Sequence, residues 1–213
     1  MRILVTAGST HVPIDQVRVI SNVFRGKTGL EIANVASQRP FGHDVTLLTS
    51  GDASKARGVR NLIYRTYDDL AKAMENEIRL NPYDAVIHSA AVSDYRVASI
   101  RNANQDPINA ASKIGSNHDR LLLELVPTEK LIDKIRTPWG FTGTLVKFKL
   151  QVNMSDQDLL KIARQSMHAS SADFIVANCL EWAKDRAYIL DRQGGCDAVS
   201  RNALAESLLR KIA

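Results

Sequence analysis

The most constraining feature of this sequence is a rhythm that begins at its second residue. An aliphatic run, Ile3-Leu4-Val5, reads as a buried first strand. It runs into Thr6-Ala7-Gly8-Ser9-Thr10, where small side chains let a ligand approach the backbone. Arg18, Asn22, Gly26, Lys27 and Gly29 then crowd into a polar stretch before an apolar-periodic helix over 30–38. Strand, small turn, glycines and helix start together predict an anion site, because unpaired N–H groups and a helix dipole point outward there. The rhythm continues with strands over 44–49 and 61–66 and a helix over 67–80, where Leu70, Met74 and Ile78 share one face. Asn81-Pro82 stops that helix, and a fourth strand over 84–88 delivers Ser89 to Asp94 at its carboxyl end. Alternation of this kind predicts an α/β three-layer sandwich with a mostly parallel sheet covered on both faces.

Later segments are less regular. Residues 97–117 are polar, rich in Asn and Ser, and show no helical or strand period, which predicts a long functional loop. Strands follow over 121–126, 144–150 and 173–177, and 188–190 pairs nearby. Helices are expected over 128–136, from a Ser155 cap to about 169, and after a Ser200 cap with Leu204, Leu208 and Ile212 buried. A loop is expected over 50–59. The 213 residues suit a single domain over 1–213.

Two phosphate motifs fail. Gly26-Lys27-Thr28 looks like the end of a Walker A loop, but Ser21 stands where that loop needs its first glycine. The dinucleotide fingerprint also fails, since Thr10 follows Gly8 where a second glycine belongs. A net charge of +5 is spread through the chain, which fits small anionic substrates and gives no nucleic-acid patch. Cys179 and Cys196 lie outside any metal spacing and read as reduced thiols of a cytoplasmic protein. No signal segment or membrane span is expected.

Six stretches in order, TAGSTHVPIDQVRVISN, RGKTG, SAAVSDYR, KIGS, VKFKLQ and DFIVAN, resemble phosphopantothenoylcysteine synthetase, the phosphopantothenate–cysteine ligase family. The resemblance covers about residues 2–191. It implies a Rossmann-like fold with a strand-rich flap, here roughly 96–126, that makes a homodimer. The implied reaction joins 4′-phosphopantothenate to L-cysteine. CTP or ATP, with Mg2+, first converts the carboxylate into an acyl-nucleotide and releases pyrophosphate. Cysteine's amine then displaces the nucleotide. No flavin is expected in this chain, and a separate flavin-dependent decarboxylase is a possible partner.

By the same resemblance Asn22 contacts the reacting carboxylate or the acyl-nucleotide, and Lys113 closes over the acyl-nucleotide from a flexible loop. Arg18 reaches the substrate phosphate from the neighbouring subunit. Ala90 and Ala91 are the small pair beside substrate, and Asp94 binds substrate or nucleotide. Gly8, Gly26 and Gly29 match the triphosphate cradle, with Ser9 in the same turn. Phe148 packs the base and Asn178 bonds near it. The chain departs from the family at Val23-Phe24-Arg25, where serines are usual, and at Ser166 and Ser170, where CTP-using members carry lysines. A nicotinamide-dependent oxidoreductase is a rival reading on the same fold, although no tyrosine has a lysine four residues on. A non-catalytic nucleotide-binding module is another.

Overall fold

The computed structural model describes residues 1–51 and 55–213. In chain order the strands and helices are β1 (Arg2–Ala7), β2 (His11–Pro13), β3 (Val19–Ser21), α1 (Lys27–Ser37), β4 (Asp44–Ser50), β5 (Arg60–Tyr64), α2 (Tyr67–Leu80), β6 (Ala85–His88), β7 (Tyr95–Arg101), β8 (Leu122–Pro127), α3 (Leu131–Ile135), β9 (Thr144–Gln151), α4 (Asp156–Ala169), β10 (Phe174–Cys179), β11 (Arg186–Asp191), β12 (Cys196–Ser200) and α5 (Leu204–Ile212).

Eight strands form one sheet in the order β12-β11-β10-β9-β6-β1-β4-β5. From β5 to β10 the neighbours run parallel, and β11 and β12 close one edge antiparallel. The central strands are apolar on both faces because helices cover both. One face packs Leu4, Val86 and Leu145 against α2, α3 and α4. The other packs Ile3, Val5, Ile87 and Val146 against α1 and α5. Each fully buried aliphatic side chain contributes about 1.5–3 kcal/mol to that packing.

Helix α2 matches the expected range. Thr66 accepts from the Asp69 N–H at 3.1 Å, and Asp69 accepts from the Thr66 N–H at 2.9 Å, closing a capping box at its start. Ser155 caps α4 as the sequence suggests, accepting from the Asp158 N–H.

Several expectations need correction. The segment expected to be aperiodic over 97–117 begins with strand, since β7 reaches Arg101 and pairs antiparallel with β8. A bulge between Val97 and Ser99 breaks the register, and that break hides the two-residue period. The helix expected over 128–136 shrinks to α3. Thr128 instead donates its hydroxyl to the Ser93 carbonyl and its N–H to the Asp94 carbonyl, which holds 128–130 outside the helix. The terminal helix has Ala203 as its N-cap, and Ser200 ends β12, a strand the sequence did not reveal. The short hairpin β2–β3 was also invisible, since each strand has three residues and one contains proline. In the loop expected over 50–59, Ser50 belongs to β4, and residues 52–54 lie outside the described residues.

Candidate functional site

Strand order locates the site. After β1 the chain moves outward to β4 and β5, then returns to the other side of β1 as β6. Connections therefore leave β1 and β6 in opposite directions, and a crevice opens at their carboxyl ends. Gly8 to Thr10 follow β1, and Ser89 to Asp94 follow β6. The two extensions are tied together. Ala91 donates its N–H to the Gly8 carbonyl at 2.8 Å, and Thr10 donates to the Ala91 carbonyl at 3.3 Å. Ser89 Oγ donates to the Thr6 carbonyl at 2.6 Å, and buried Tyr64 donates its hydroxyl to the Ala7 carbonyl at 2.8 Å.

The three glycines meet at this point. Gly8 and Gly26 both have positive φ, +92° and +73°. A Cβ on Gly26 would come 2.3 Å from the Gly8 nitrogen, and one on Gly29 would come 2.7 Å from Ala7 Cβ and 2.9 Å from the Thr6 carbonyl oxygen. Glycine therefore lets the start of α1 lie directly on the end of β1. Gly26 caps α1 with no side-chain hydrogen bond, and no acidic residue occupies the first turn. The first N–H groups of the helix are left for an outside acceptor.

Asn22 reaches into the same crevice. Its Nδ2 donates to the Ala91 carbonyl at 3.2 Å, while Ser9 and Ser21 hydroxyls bond at 3.0 Å. Asn22, Ser9, Gly8 and Ala91 are thus one contiguous group. Arg18 lies farther out, in the β2–β3 turn, and is engaged within its own chain. Its Nε donates to Asp15 at 3.0 Å and its Nη2 to the Ile114 carbonyl at 2.7 Å. Lys113 precedes Ile114 and is exposed.

A cleft of about 190 Å³ opens beside the crevice, lined by Ala90, Asp94 and Phe148 among others. Asn178 is half-buried on β10, two residues beyond Val176, the register partner of Phe148, so the two share a face of the sheet. Reading the sequence missed the charge of this cleft: Lys130, Lys147 and Lys149 also line it, with His88. Lys147 is buried, at 8% exposure, and its Nζ donates to the Ser166 carbonyl at 3.1 Å and to Ser170 Oγ at 3.0 Å. Those contacts fall on the two serines noted above as departures. Burial, above all, lowers the Lys147 pKa to about 8. Its register partner His88 is lowered to about 4 by burial and then by the Lys147 charge, so it is neutral at pH 7. His88 Nδ1 bonds Thr6 Oγ1 at 2.9 Å. The available clue was a lysine inside the apolar strand Leu-Val-Lys-Phe, where a charge needs a reason. A larger hollow of about 550 Å³ lies at the opposite end of the sheet, around Met1, Asp84 and Asp173. It holds none of the expected residues, and ligands of such sheets bind at the other end.

Comparison with known proteins agrees with this fold. Residues 1–213 match the family model described as the DNA/pantothenate metabolism flavoprotein C-terminal domain. The coenzyme A biosynthesis bifunctional protein CoaBC of Thermococcus kodakarensis is 36% identical over 182 residues, covering 84% of this chain. This chain spans 41% of that relative's length. A solved structure of the DNA/pantothenate metabolism flavoprotein from Streptococcus pneumoniae superposes with a TM-score of 0.86 at 30% identity, covering 100% of this chain and 98% of that one. A Cab2 mutant in complex with phosphopantothenate-cysteine shares the fold, with a TM-score of 0.78 at 16% identity over 99% of this chain and 86% of its own. Nothing among these matches favours an oxidoreductase or a non-catalytic module.

Proposed function

This chain belongs to the DNA/pantothenate metabolism flavoprotein C-terminal domain family, and from that premise we propose that it is a phosphopantothenate–cysteine ligase. The observation that carries the reading is the meeting of Asn22, Ala91 and Gly8 beside the uncapped start of α1. It places an amide donor next to a ready anion site, which is what joining an acid to a triphosphate requires.

The chemistry follows from charge. A carboxylate is a poor electrophile, so its oxygen first attacks the α-phosphorus of the nucleotide and pyrophosphate leaves. The N–H groups at the start of α1 hold phosphate oxygens, and the Lys113 ammonium offsets charge at phosphorus. In the second step the cysteine nitrogen bonds to the acyl carbon. The acyl C–O bond to phosphate breaks, nucleoside monophosphate leaves, and the amine gives up a proton. Asn22, an uncharged donor, stabilises the oxygen that becomes negative as the amine adds.

Magnesium would be held chiefly by the triphosphate. Among the described residues no group of three His, Cys, Asp or Glu could hold a metal, and phosphate oxygens with water supply the hard ligands magnesium prefers. Such an ion would neutralise the departing pyrophosphate.

Lys130, Lys147 and Lys149 add a cationic wall for the nucleotide, and Phe148 borders the base from the same cleft, with Asn178 on its face of the sheet. Lys147 brings a positive charge to Ser166 and Ser170, so CTP remains a candidate beside ATP. The working unit is a homodimer joined through β2–β3 and β7–β8. These ribbons lie against one another and leave Val17, Val19, Ile20, Tyr95 and Leu125 exposed, an apolar surface that a second copy would cover. The product, carrying a free cysteine carboxylate, suits a flavin-dependent decarboxylase as the next step.

The test is pyrophosphate release from 4′-phosphopantothenate, Mg2+ and either CTP or ATP, before cysteine is added. Release that depends on the acid supports the reading. No release with either nucleotide overturns it.

A further inference from the structure

We propose that Asp15 is a positioning residue: with Arg18 it latches the Lys113 loop onto the β2–β3 hairpin, and so fixes where Lys113 stands. This rests on the ligase reading, which makes Lys113 catalytic.

Residues 102–121 link β7 to β8 without regular strand or helix; a bridge between Arg101 and Pro107 and the Ile108 N–H bond to the Ile100 carbonyl tie its first part back to β7, and no ladder reaches the Lys113 segment. Polar contacts with the hairpin do. The Asp15 side chain is fully buried. One carboxylate oxygen, Oδ1, accepts from the N–H groups of Val17 at 2.9 Å and Arg18 at 2.8 Å, shaping the turn. The other, Oδ2, accepts from Arg18 Nε at 3.0 Å, from Arg18 Nη2, and from the Ile114 N–H at 3.0 Å. Arg18 Nη2 donates in turn to the Ile114 carbonyl at 2.7 Å. Both backbone polar groups of one loop residue, Ile114, are thus held from a position almost one hundred residues earlier in the chain. The Ile114 side chain is buried, with 4% exposure, and Gln16 Nε2 adds a bond to the Ala111 carbonyl at 2.7 Å.

The latch also orients Arg18. A guanidinium has five N–H donors, and three are spent on Asp15 and Ile114. Among the described residues the two on Nη1 have no partner, and they remain for an anionic oxygen. An arginine pinned along one edge presents the other with little loss of rotamer freedom on binding. Asp15 therefore serves a phosphate-binding cation and the loop of the catalytic lysine at once. These contacts with donors hold its carboxyl well below the usual carboxylate range, led by the Arg18 bond, so the latch is charged at any working pH.

Asp15→Asn is the discriminating change. It keeps the shape, but its Oδ2 position meets three donors, so an NH2 group placed there faces donors with a donor. The alternative flip moves the same conflict to the Val17 and Arg18 N–H groups. We expect amide exchange over 111–114 to rise by about tenfold or more in the unliganded protein, with α2 unchanged as the control for folding. For pyrophosphate release, kcat should fall about tenfold or more while KM for the nucleotide moves less than about twofold. In a Lys113→Ala background the same change should cost less than about twofold more, because the residue it positions is gone. Unchanged exchange at 111–114, or losses that multiply in the double variant, would overturn the proposal. If Asp15→Asn does not fold, Gln16→Ala tests the hairpin's neighbouring hold on the loop, at Ala111, from an exposed position. It should speed exchange at 111–114 by about twofold to fivefold, and no acceleration overturns the latch. Should the wild type release no pyrophosphate, the ligase reading fails, and the exchange measurements still decide the latch.

Discussion

The crevice between β1 and β6 and the loop bearing Lys113 are held by different forces. The crevice stands on parallel strands in fixed register, flanked by side chains with 0% exposure such as Leu4, Val5 and Val86. The loop's Lys113 segment rests on side-chain to backbone bonds and one buried isoleucine. Burial of apolar surface accumulates over many residues, whereas each polar contact nets about 1 kcal/mol. The floor proposed to receive the nucleotide is therefore a property of the whole fold, while the Lys113 segment can be released by losing a few bonds. This contrast suits the proposed ligase, which would have to admit a triphosphate, shelter an acyl-nucleotide, and then open.

The strongest way to break the contrast is to damage the floor. Gly26→Ala must place a Cβ 2.3 Å from the Gly8 nitrogen, among backbone atoms that cannot rotate away, at a φ of +73°. Left-handed strain and overpacking together should cost roughly 2–5 kcal/mol. Urea unfolding should register this as a lower midpoint with no change in slope. A variant as stable as the wild type would mean that α1 and β1 do not need this close approach.

Asn22→Ala comes next and should act on chemistry alone. Asn22 is exposed, so its removal leaves the core intact. Losing one donor at a developing oxyanion costs about 2.7–4 kcal/mol, or roughly 10²–10³ in rate. Amide formation from preformed acyl-nucleotide should slow by that factor while pyrophosphate release slows less. Equal slowing of both steps would move Asn22 from the second step to general substrate binding.

How much of this was readable beforehand differs between the same two regions. The floor was legible because its signals are local. Ile3-Leu4-Val5 followed by small residues, and glycines before a periodic helix, give strand, turn and helix start without tertiary knowledge. Asn22 and Ala91 were named by likeness to a family, and their contact emerged only in three dimensions. The loop side was nearly opaque. Asp15 and Ile114 are 99 residues apart, and no periodicity links them. The bulge in β7 erased its alternation, and β2 and β3 are too short to leave one. Ser200 failed as a cap because it belongs to β12, a pairing decided by β11 and not by its neighbours in sequence.

Lys147 gives the smallest effect and the finest test, because folding and binding should respond to it with opposite sign. Burial lowers its pKa to about 8 from the 10.5 of a free lysine, so between these values the unfolded chain holds a proton that the folded chain has lost. Its contribution to stability therefore rises as pH climbs from about 8 to 10.5, and charging it below pH 8 carries the full burial cost. Affinity for a nucleotide should go the other way. Below pH 8 the cleft wall carries the ammonium; above it the charge fades, and each further pH unit removes up to about tenfold of whatever that charge contributes. Plotted against pH, nucleotide KM should begin to rise near 8 in the wild type and stay flatter in Lys147→Met, which keeps the length and loses the charge. The same variant should gain stability at pH 7, where the buried ammonium is most costly, only if apolar packing replaces the bonds to Ser166 and Ser170. Parallel KM profiles in the two proteins would show that Lys147 serves the floor of the fold alone, and the division between scaffold and chemistry would then have to be drawn on the far side of β9.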